Sequence, residues 1–292
     1  MEWLQLRASN WSNYWLLMRM DKPIGSLLLL WPCYWALWLA SQGMPSVLHL
    51  LVFGAGVVVM RSAGCVINDY ADRKVDGQVK RTKDRPIVNG SVTPSEALQL
   101  FVLLLLVAFG LVLLLNWQTV LLSVVGLLLA FCYPFMKRFT HWPQVVLGAA
   151  FSWSMPMAYM AVTETLPAQI WWLYGANLCW TVAYDTMYAM VDRDDDIKIG
   201  VKSTAILFGQ LDKLAVLLLQ MITLAILWGV GLSLDLSVIY DLSLTLAAVL
   251  FGYQQWLIRD RERNSCFKAF LHNNYVGMII FVGIVGHYLH LT

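Results

Sequence analysis

Long apolar stretches joined by short polar links make up most of the chain. A membrane-spanning helix needs about 20 mostly apolar residues, and nine stretches approach that length, at approximately 24–40, 46–66, 96–115, 118–136, 143–162, 170–190, 213–233, 236–257 and 269–290. Trp31-Pro32 lies within the first stretch and Met155-Pro156 within the fifth. Because proline removes a backbone donor, kinks or freed carbonyl groups are predicted there. The pattern predicts an all-α membrane protein with nine transmembrane helices.

Composition supports this class. Hydrophobic residues make up 59% of the chain and charged residues 13%, against roughly 25% charged in an ordinary soluble domain. The mean hydropathy is +0.64, which excludes a soluble globular protein. We expect a single transmembrane domain over 23–292, preceded by a cytoplasmic or interfacial segment over 1–22. That segment lacks the features of a cleaved signal peptide; its aromatic residues favour a position in the headgroup region, with a poorly ordered tail as the alternative.

Basic residues predict the orientation. Of the 20 lysines and arginines, 19 fall in alternate links, on one predicted side: Arg7, Arg19, Lys22, Arg73, Lys74, Lys80, Arg81, Lys83, Arg85, Lys137, Arg138, Arg193, Lys198, Lys202, Lys213, Arg259, Arg261, Arg263 and Lys268. Only Arg61 lies within a predicted span. Since basic links stay inside, we expect a cytoplasmic N-terminus and a C-terminus on the opposite side.

Two clusters of polar residues follow predicted spans. The first contains Asn68, Asp69, Asp72 and Asp76, and the second contains Asp185, Asp192, Asp194, Asp195 and Asp196. The spacing of four within Asp72/Asp76 and within Asp192/Asp196 would place each pair on one helix face, where like charges repel. Four predicted spans separate the clusters, so both are expected on the cytoplasmic side.

Facing carboxylate pairs suit magnesium, which prefers oxygen ligands and phosphate. The predicted metal ligands are Asn68, Asp72, Asp76, Asp192 and Asp196, and a diphosphate could lie between two such ions. Asp185 lies two turns deeper, where an ionisable group is costly unless functional, and it joins the four paired aspartates as a catalytic candidate. The alternative for each cluster is a solvated helix end, and for Asp194 and Asp195 that alternative is as strong.

Basic and hydroxyl groups near the clusters could bind an anion. The candidates are Arg85, which is followed by proline, and Tyr133, Lys137 and Arg138 at the end of the fourth span. Lys80, Arg81 and Lys83 are interpreted instead as charges at the lipid surface. Arg61 could receive a carboxylate of a small acceptor or act as a counter-ion to the first aspartate cluster. The scattered cysteines and histidines are interpreted as structural, without a disulfide framework or zinc site.

Four motifs resemble those of the intramembrane aromatic prenyltransferase family. They are N-D-x-x-D-x-x-x-D at 68–76, D-x-x-Y-A-x-x-D-x-x-D-D at 185–196, Y-x-x-x-K at 133–137 and R-x-D-K-P-I-G at 19–25. The segments WPQVVLG, VDRDDDIKIG and KSTAILFG are similar to the 4-hydroxybenzoate branch in particular. The resemblance covers nearly the whole chain.

This resemblance implies nine helices around a central cavity open to lipid, and Mg²⁺ as cofactor. It implies transfer of a polyprenyl chain, octaprenyl in the expected case, from its diphosphate to the ring carbon beside the hydroxyl of 4-hydroxybenzoate, in ubiquinone biosynthesis at the bacterial inner membrane. Asp72, Asp76, Asp192 and Asp196 would hold magnesium against the diphosphate, and Arg85, Lys137, Arg138 and Tyr133 would offset the charge of the leaving group. Naphthoate or homogentisate are alternative acceptors.

A membrane transporter is the alternative from another class, since transporters also carry ionisable residues within spans. Charges deep in several spans would favour it, whereas here the acids gather at one predicted membrane face. The sequence does not indicate the prenyl chain length, the base that removes the ring proton, the oligomeric state or a protein partner. No nucleic-acid partner is expected.

Overall fold

A computed structural model describes residues 5–78 and 80–291. Residues 1–4 of the predicted N-terminal segment, and residues 79 and 292 of the predicted domain, lie outside the described residues. The α-helices are α1 (Trp11–Leu17), α2 (Ile24–Ser41), α3 (Val47–Asp72), α4 (Pro94–Val112), α5 (Trp117–Phe139), α6 (Pro143–Ser152), α7 (Ser154–Thr163), α8 (Ala168–Ile199), α9 (Thr204–Phe208), α10 (Asp212–Ser233), α11 (Val238–Leu257) and α12 (Arg263–Leu291). Short 3-10 helices cover Ala8–Asn10, Asp76–Gln78 and Gly209–Leu211. The described residues contain no strand, so the predicted all-α class is confirmed.

Seven helical stretches of the described chain are long and apolar enough to cross a membrane. They are Ile24–Ser41, Val47–Asp72, Pro94–Val112, Trp117–Phe139, Pro143–Thr163, Thr204–Ser233 and Arg263–His290. The other two predicted spans coincide with α8 and α11, which do not meet the same criterion of length and composition. Nine spans therefore remain a prediction.

Local signals in the sequence fix where several helices begin. At the start of α4, Thr93 Oγ1 accepts a hydrogen bond from the Glu96 amide at 3.2 Å, and Glu96 Oε2 accepts one from the Thr93 amide at 2.8 Å. Pro94 occupies the first turn, where no amide donor is needed. Asn116 caps α5 by accepting from the Thr119 amide at 3.0 Å. These caps satisfy amide groups that have no partner inside the helix.

The two predicted proline interruptions have different outcomes. In the fifth stretch the helix is interrupted at Trp153, between α6 and α7, three residues before Pro156. In the first stretch, α2 continues through Pro32 without a break. A proline therefore marks a weakened helical ladder, but the packing around it decides whether the helix separates into two.

The helices around α12 pack through aromatic and polar contacts. The rings of Trp35 and Trp180 stack with centroids 5.4 Å apart. The Trp35 indole donates to the Gly277 carbonyl at 3.0 Å, and the Trp180 indole donates to Asn273 Oδ1 at 2.8 Å. A Cβ at Gly277 would lie 2.8 Å from Trp31 and 2.9 Å from Trp180, so glycine allows α2 and α8 to approach α12. Such small residues and interhelical hydrogen bonds are the contacts that hold helices together in lipid.

The N-terminal segment is partly an ordered helix. Tyr14 and Leu17 of α1 are buried in an apolar cluster with residues of α3 and α4, and the Tyr14 hydroxyl donates to Glu96 Oε1 at 2.7 Å. Trp11 and Trp15 on the same helix are 57% and 40% exposed. For α1 the alternative of a poorly ordered tail is therefore wrong.

Candidate active site

One cavity of about 1310 Å³ unites the two aspartate clusters. Ten of the predicted site residues line it: Arg61, Asn68, Asp72, Asp76, Arg85, Tyr133, Lys137, Asp185, Asp192 and Asp196. Arg138 is not among the lining residues; its guanidinium donates to the Ala71 carbonyl and lies 5.8 Å from the Phe135 ring centroid. Helices α3, α5 and α8 supply most of these groups, because each ends at the same side of the bundle.

The first aspartate cluster does not form the continuous helical face that its spacing predicts. Helix α3 ends at Asp72, and Asp76 begins the separate 3-10 helix Asp76–Gln78. The prediction that Asp72 and Asp76 project from one helix face is therefore wrong. The two carboxylates have different partners: Lys137 for Asp72 and Arg85 for Asp76. Ion pairs with Arg85 and Lys137 thus hold the two carboxylates, in place of one more turn of α3.

Basic side chains form ion pairs with the carboxylates of this first cluster. Arg19 Nη2 lies 2.8 Å from Asp69 Oδ2, while Arg85 Nη1 lies 2.8 Å from Asp69 Oδ1 and 2.7 Å from Asp76 Oδ2. Asp69, Asp72 and Asp76 are all buried. Burial lowers the pKa of Arg85, but Asp69 and Asp76 raise it, and the net shift is upward. Arg85 therefore stays charged between two carboxylates, a role that its sequence position alone does not indicate.

The second cluster keeps its helix. Asp192 and Asp196 are both on α8, one turn apart, and both line the cavity. This part of the spacing prediction is confirmed. Among the described residues, Asp196 and Asp185 form no salt bridge. Asp194 is exposed, as expected for a solvated helix end. Asp195 is buried and pairs with Arg263 at 3.0 Å, so for Asp195 the solvated alternative is wrong.

Arg81 is a site residue that the sequence interpretation missed, as are Arg19 and Asp69, which also line the cavity. Arg81 Nε lies 3.1 and 3.0 Å from the two oxygens of Asp192, and Arg81 Nη2 lies 2.5 Å from Asp192 Oδ2. The guanidinium also lies 4.8 Å from the ring centroid of Tyr188. The interpretation of Arg81 as a charge at the lipid surface is therefore wrong. Tyr188, four residues before Asp192 on the same helix, is the signal that could have indicated a cation-binding face.

The donor set fits a hard divalent cation bound together with phosphate. Asp72 Oδ1 is buried and has no hydrogen-bond partner, although the other oxygen of this carboxylate meets Lys137. Within the described chain no three His, Cys, Asp or Glu side chains are grouped as ligands of one ion. Magnesium usually takes one or two protein carboxylates and completes its shell with water and phosphate. The separated carboxylates match that mode and not a cage built from protein ligands alone.

Deeper in the cavity, Arg61 has a different environment. Its Nη1 donates to Cys65 Sγ at 2.5 Å, and it forms no salt bridge with a described carboxylate. Asp185 interacts with it electrostatically without reaching ion-pair distance. The aspartates of the first cluster are instead paired with Arg19, Arg85 and Lys137. Direct pairing of Arg61 with that cluster is thus not observed.

Comparisons with known proteins identify the family and the fold of the chain. The UbiA prenyltransferase family matches residues 29–276. A 4-hydroxybenzoate octaprenyltransferase of Tolumonas auensis is 65% identical over 277 residues, covering 95% of this chain and 97% of that protein. The enzyme of the same name from Colwellia psychrerythraea is 61% identical over 279 residues, covering 96% and 97%.

Solved structures share the fold. The apo structure of a UbiA homolog from Aeropyrum pernix K1 has a TM-score of 0.80 and 26% identity, covering 92% of this chain and 98% of that one. A UbiA homolog from Archaeoglobus fulgidus, solved with GPP and Mg²⁺, has a TM-score of 0.71 and 18% identity, covering 94% and 99%. At that identity the second likeness shows the fold alone.

Proposed function

The chain belongs to the UbiA prenyltransferase family, and from this premise we propose that it prenylates 4-hydroxybenzoate. The donor is a polyprenyl diphosphate, octaprenyl as in the names of the relatives, and the products are 3-polyprenyl-4-hydroxybenzoate and diphosphate. The reaction belongs to ubiquinone biosynthesis. The observation that carries the proposal is the single cavity lined by both aspartate clusters and by Arg61.

The polar end of the cavity is assigned to the diphosphate. Magnesium bound by Asn68, Asp72, Asp76, Asp192 and Asp196 would neutralise phosphate charge and so ease departure of the leaving group. Lys137 and Arg85, with the Tyr133 hydroxyl, would offset the negative charge that develops on the diphosphate; Arg138, which does not line the cavity, is left out of this set. Preorganised cations aimed at such charge are usually the largest source of rate enhancement.

The deeper part of the cavity is assigned to the acceptor ring. Breaking the allylic C–O bond leaves an allylic cation, and the apolar lining keeps water away from it. Asp185 places a carboxyl group at this depth. The ring carbon next to the hydroxyl forms the new C–C bond, and its proton leaves to a carboxylate or to the departing diphosphate. Arg61 would hold the acceptor carboxylate.

We propose the predicted topology with this function. The chain would form one domain over 23–292 with nine spans in the bacterial inner membrane, a cytoplasmic N-terminus and active site, and a periplasmic C-terminus. The strong bias of basic residues supports it. So does the meeting of the ends of α3, α5 and α8 at one cavity. The segment 1–22 would lie at the cytoplasmic surface, where Trp11 and Trp15 are exposed.

The decisive experiment is transfer of a radiolabelled polyprenyl chain by the purified protein in lipid. We expect labelled product with 4-hydroxybenzoate and Mg²⁺, and none after addition of EDTA. Dihydroxynaphthoate and homogentisate serve as acceptor controls. Product with one of these and none with 4-hydroxybenzoate would keep the family and overturn the acceptor.

A further inference from the structure

Arg61 is a cation inside α3 that forms no salt bridge with any carboxylate of the described residues. Its hydrogen bond to Cys65 Sγ is with the residue one turn later on the same helix. A thiol is a weak acceptor, so this bond alone would leave the long side chain mobile. A second contact is needed to explain a defined guanidinium position.

The second neighbour of the Arg61 guanidinium is Gly25, which leaves room for it because glycine has no side chain. An ideal Cβ at Gly25 would lie 2.7 Å from Arg61 Nε, 2.7 Å from Nη2 and 3.1 Å from Cζ. The guanidinium therefore presents its Nε–Nη2 edge to the space that a side chain at Gly25, in the first turn of α2, would fill. Gly25, Arg61 and Cys65 all line the cavity.

The backbone itself does not require glycine at this position. Gly25 lies in helix α2 and is not among the glycines with positive φ. Glycine within a helix costs about 0.5–1 kcal/mol relative to alanine. The space for Arg61 is thus the feature of Gly25 that alanine could not provide. It also gives a role to the last residue of the R-x-D-K-P-I-G motif.

We infer that Gly25 and Cys65 are positioning residues that set the Arg61 guanidinium for the carboxylate of the aromatic acceptor. This inference rests on the proposed function. Gly25 lies beside the guanidinium and limits its position on one side, and Cys65 Sγ accepts the hydrogen bond from Nη1. Both act through Arg61, so their loss should weaken acceptor binding and leave diphosphate binding unchanged.

The test compares Gly25→Ala with Gly54→Ala in the full chain in lipid. A Cβ at Gly54 would also lie 2.7 Å from a flexible side-chain end, the Tyr34 hydroxyl, and Gly54 does not line the cavity. Both variants therefore place a Cβ 2.7 Å from the end of a flexible side chain, in one case two atoms of Arg61 at the cavity and in the other one atom of Tyr34 away from it. In both, the crowded atom can move, so both proteins should fold with similar melting temperatures.

For Gly25→Ala we expect the KM for 4-hydroxybenzoate to rise by about tenfold, the scale of one hydrogen bond to a charged group. The KM for the prenyl diphosphate should stay within about twofold, and Gly54→Ala should change neither. An unchanged acceptor KM in Gly25→Ala, or an equal rise in both KM values, would overturn the inference.

A second pair of variants tests the thiol. Cys65→Ser keeps an acceptor for Arg61 Nη1, and Cys65→Val removes it at similar volume. We expect the acceptor KM to rise only for Cys65→Val; equal behaviour of the two variants would contradict the role of Cys65. If the unsubstituted protein transfers no prenyl group to 4-hydroxybenzoate, the proposed function itself fails and the inference with it.

Discussion

The two aspartate clusters line the same cavity but are held in different ways. In the first, the helix ends at Asp72 and each buried carboxylate has a basic partner from elsewhere in the chain. In the second, α8 continues past Asp196, and of the cavity-lining carboxylates on α8 only Asp192 has such a partner among the described residues. The first cluster is preorganised by ion pairs, and the second by its helix.

This difference has a consequence for function and stability. A paired, buried carboxylate is held in place by its partner, and removal of that partner leaves an uncompensated buried charge. A carboxyl group on a continuous helix keeps its position without a partner, and both of its oxygens stay available to a cation. We therefore expect substitutions in the first cluster to affect folding and catalysis together, and those at Asp196 to affect catalysis alone.

The largest expected effect is common to both clusters. Asp72→Asn and Asp192→Asn should each lower prenyl transfer about a thousandfold, because the loss of a metal contact to the diphosphate removes several kcal/mol of transition-state stabilisation. Single-turnover transfer of labelled prenyl groups measures this. Retained turnover with normal Mg²⁺ dependence in either variant would show that the two clusters do not act together on one metal-bound diphosphate.

The next effect separates the clusters by stability. Lys137→Met leaves the Asp72 carboxylate without its partner, and we expect a loss of about 2 kcal/mol, below the full value for a buried pair because Lys137 is partly exposed. Asp196→Asn changes a carboxyl group that has no salt-bridge partner in the described part of the chain, so it should not lower stability, although activity falls. Melting temperatures of the purified variants in detergent provide the measurement. A large decrease in the melting temperature of Asp196→Asn would contradict the proposed difference in stability between the two clusters.

A smaller effect distinguishes the two arginines. Arg81 holds Asp192 through two nitrogens, whereas Arg85 contacts Asp69 and Asp76 through Nη1 alone. Lysine can replace a contact made through one nitrogen, but it cannot replace a bidentate contact made through two nitrogens of a guanidinium. Arg81→Lys should lower kcat/KM by about tenfold and Arg85→Lys by about threefold. A larger loss of kcat/KM in Arg85→Lys than in Arg81→Lys would show that the bidentate contact with Asp192 contributes less to activity than the contacts of Arg85.

The smallest effects are expected at the end of the second cluster. Asp194 is exposed, and Asp194→Asn should leave transfer near that of the unsubstituted protein. Asp195→Asn breaks the pair with the partly exposed Arg263 and should cost up to about 1 kcal/mol of stability. Activity and melting temperature together check both. A severe loss of transfer in Asp194→Asn would extend the functional face of α8 beyond the cavity-lining residues.

Much of the architecture could be predicted because it depends on local pattern. Apolar stretches, caps such as Thr93–Glu96 and the spacing of Asp192 and Asp196 act over a few residues. The failure at Asp76 has a tertiary cause, since Arg85 and Lys137 hold the two carboxylates of the first cluster separately. The break near Pro156 and the continuity through Pro32 show the same limit, because both stretches contain a proline and only one of the two helices is interrupted.

The sequence by itself determined that the chain lies in a membrane, where its apolar helices are, and which acidic residues gather at the helix ends. Those properties follow from composition and short spacing. Only the tertiary structure decided that Arg81 donates hydrogen bonds to Asp192, 111 residues away, and that Gly25 leaves space for the Arg61 guanidinium. Such partners are chosen by how separate helices pack, because a buried charge takes whichever counter-charge the fold brings within reach.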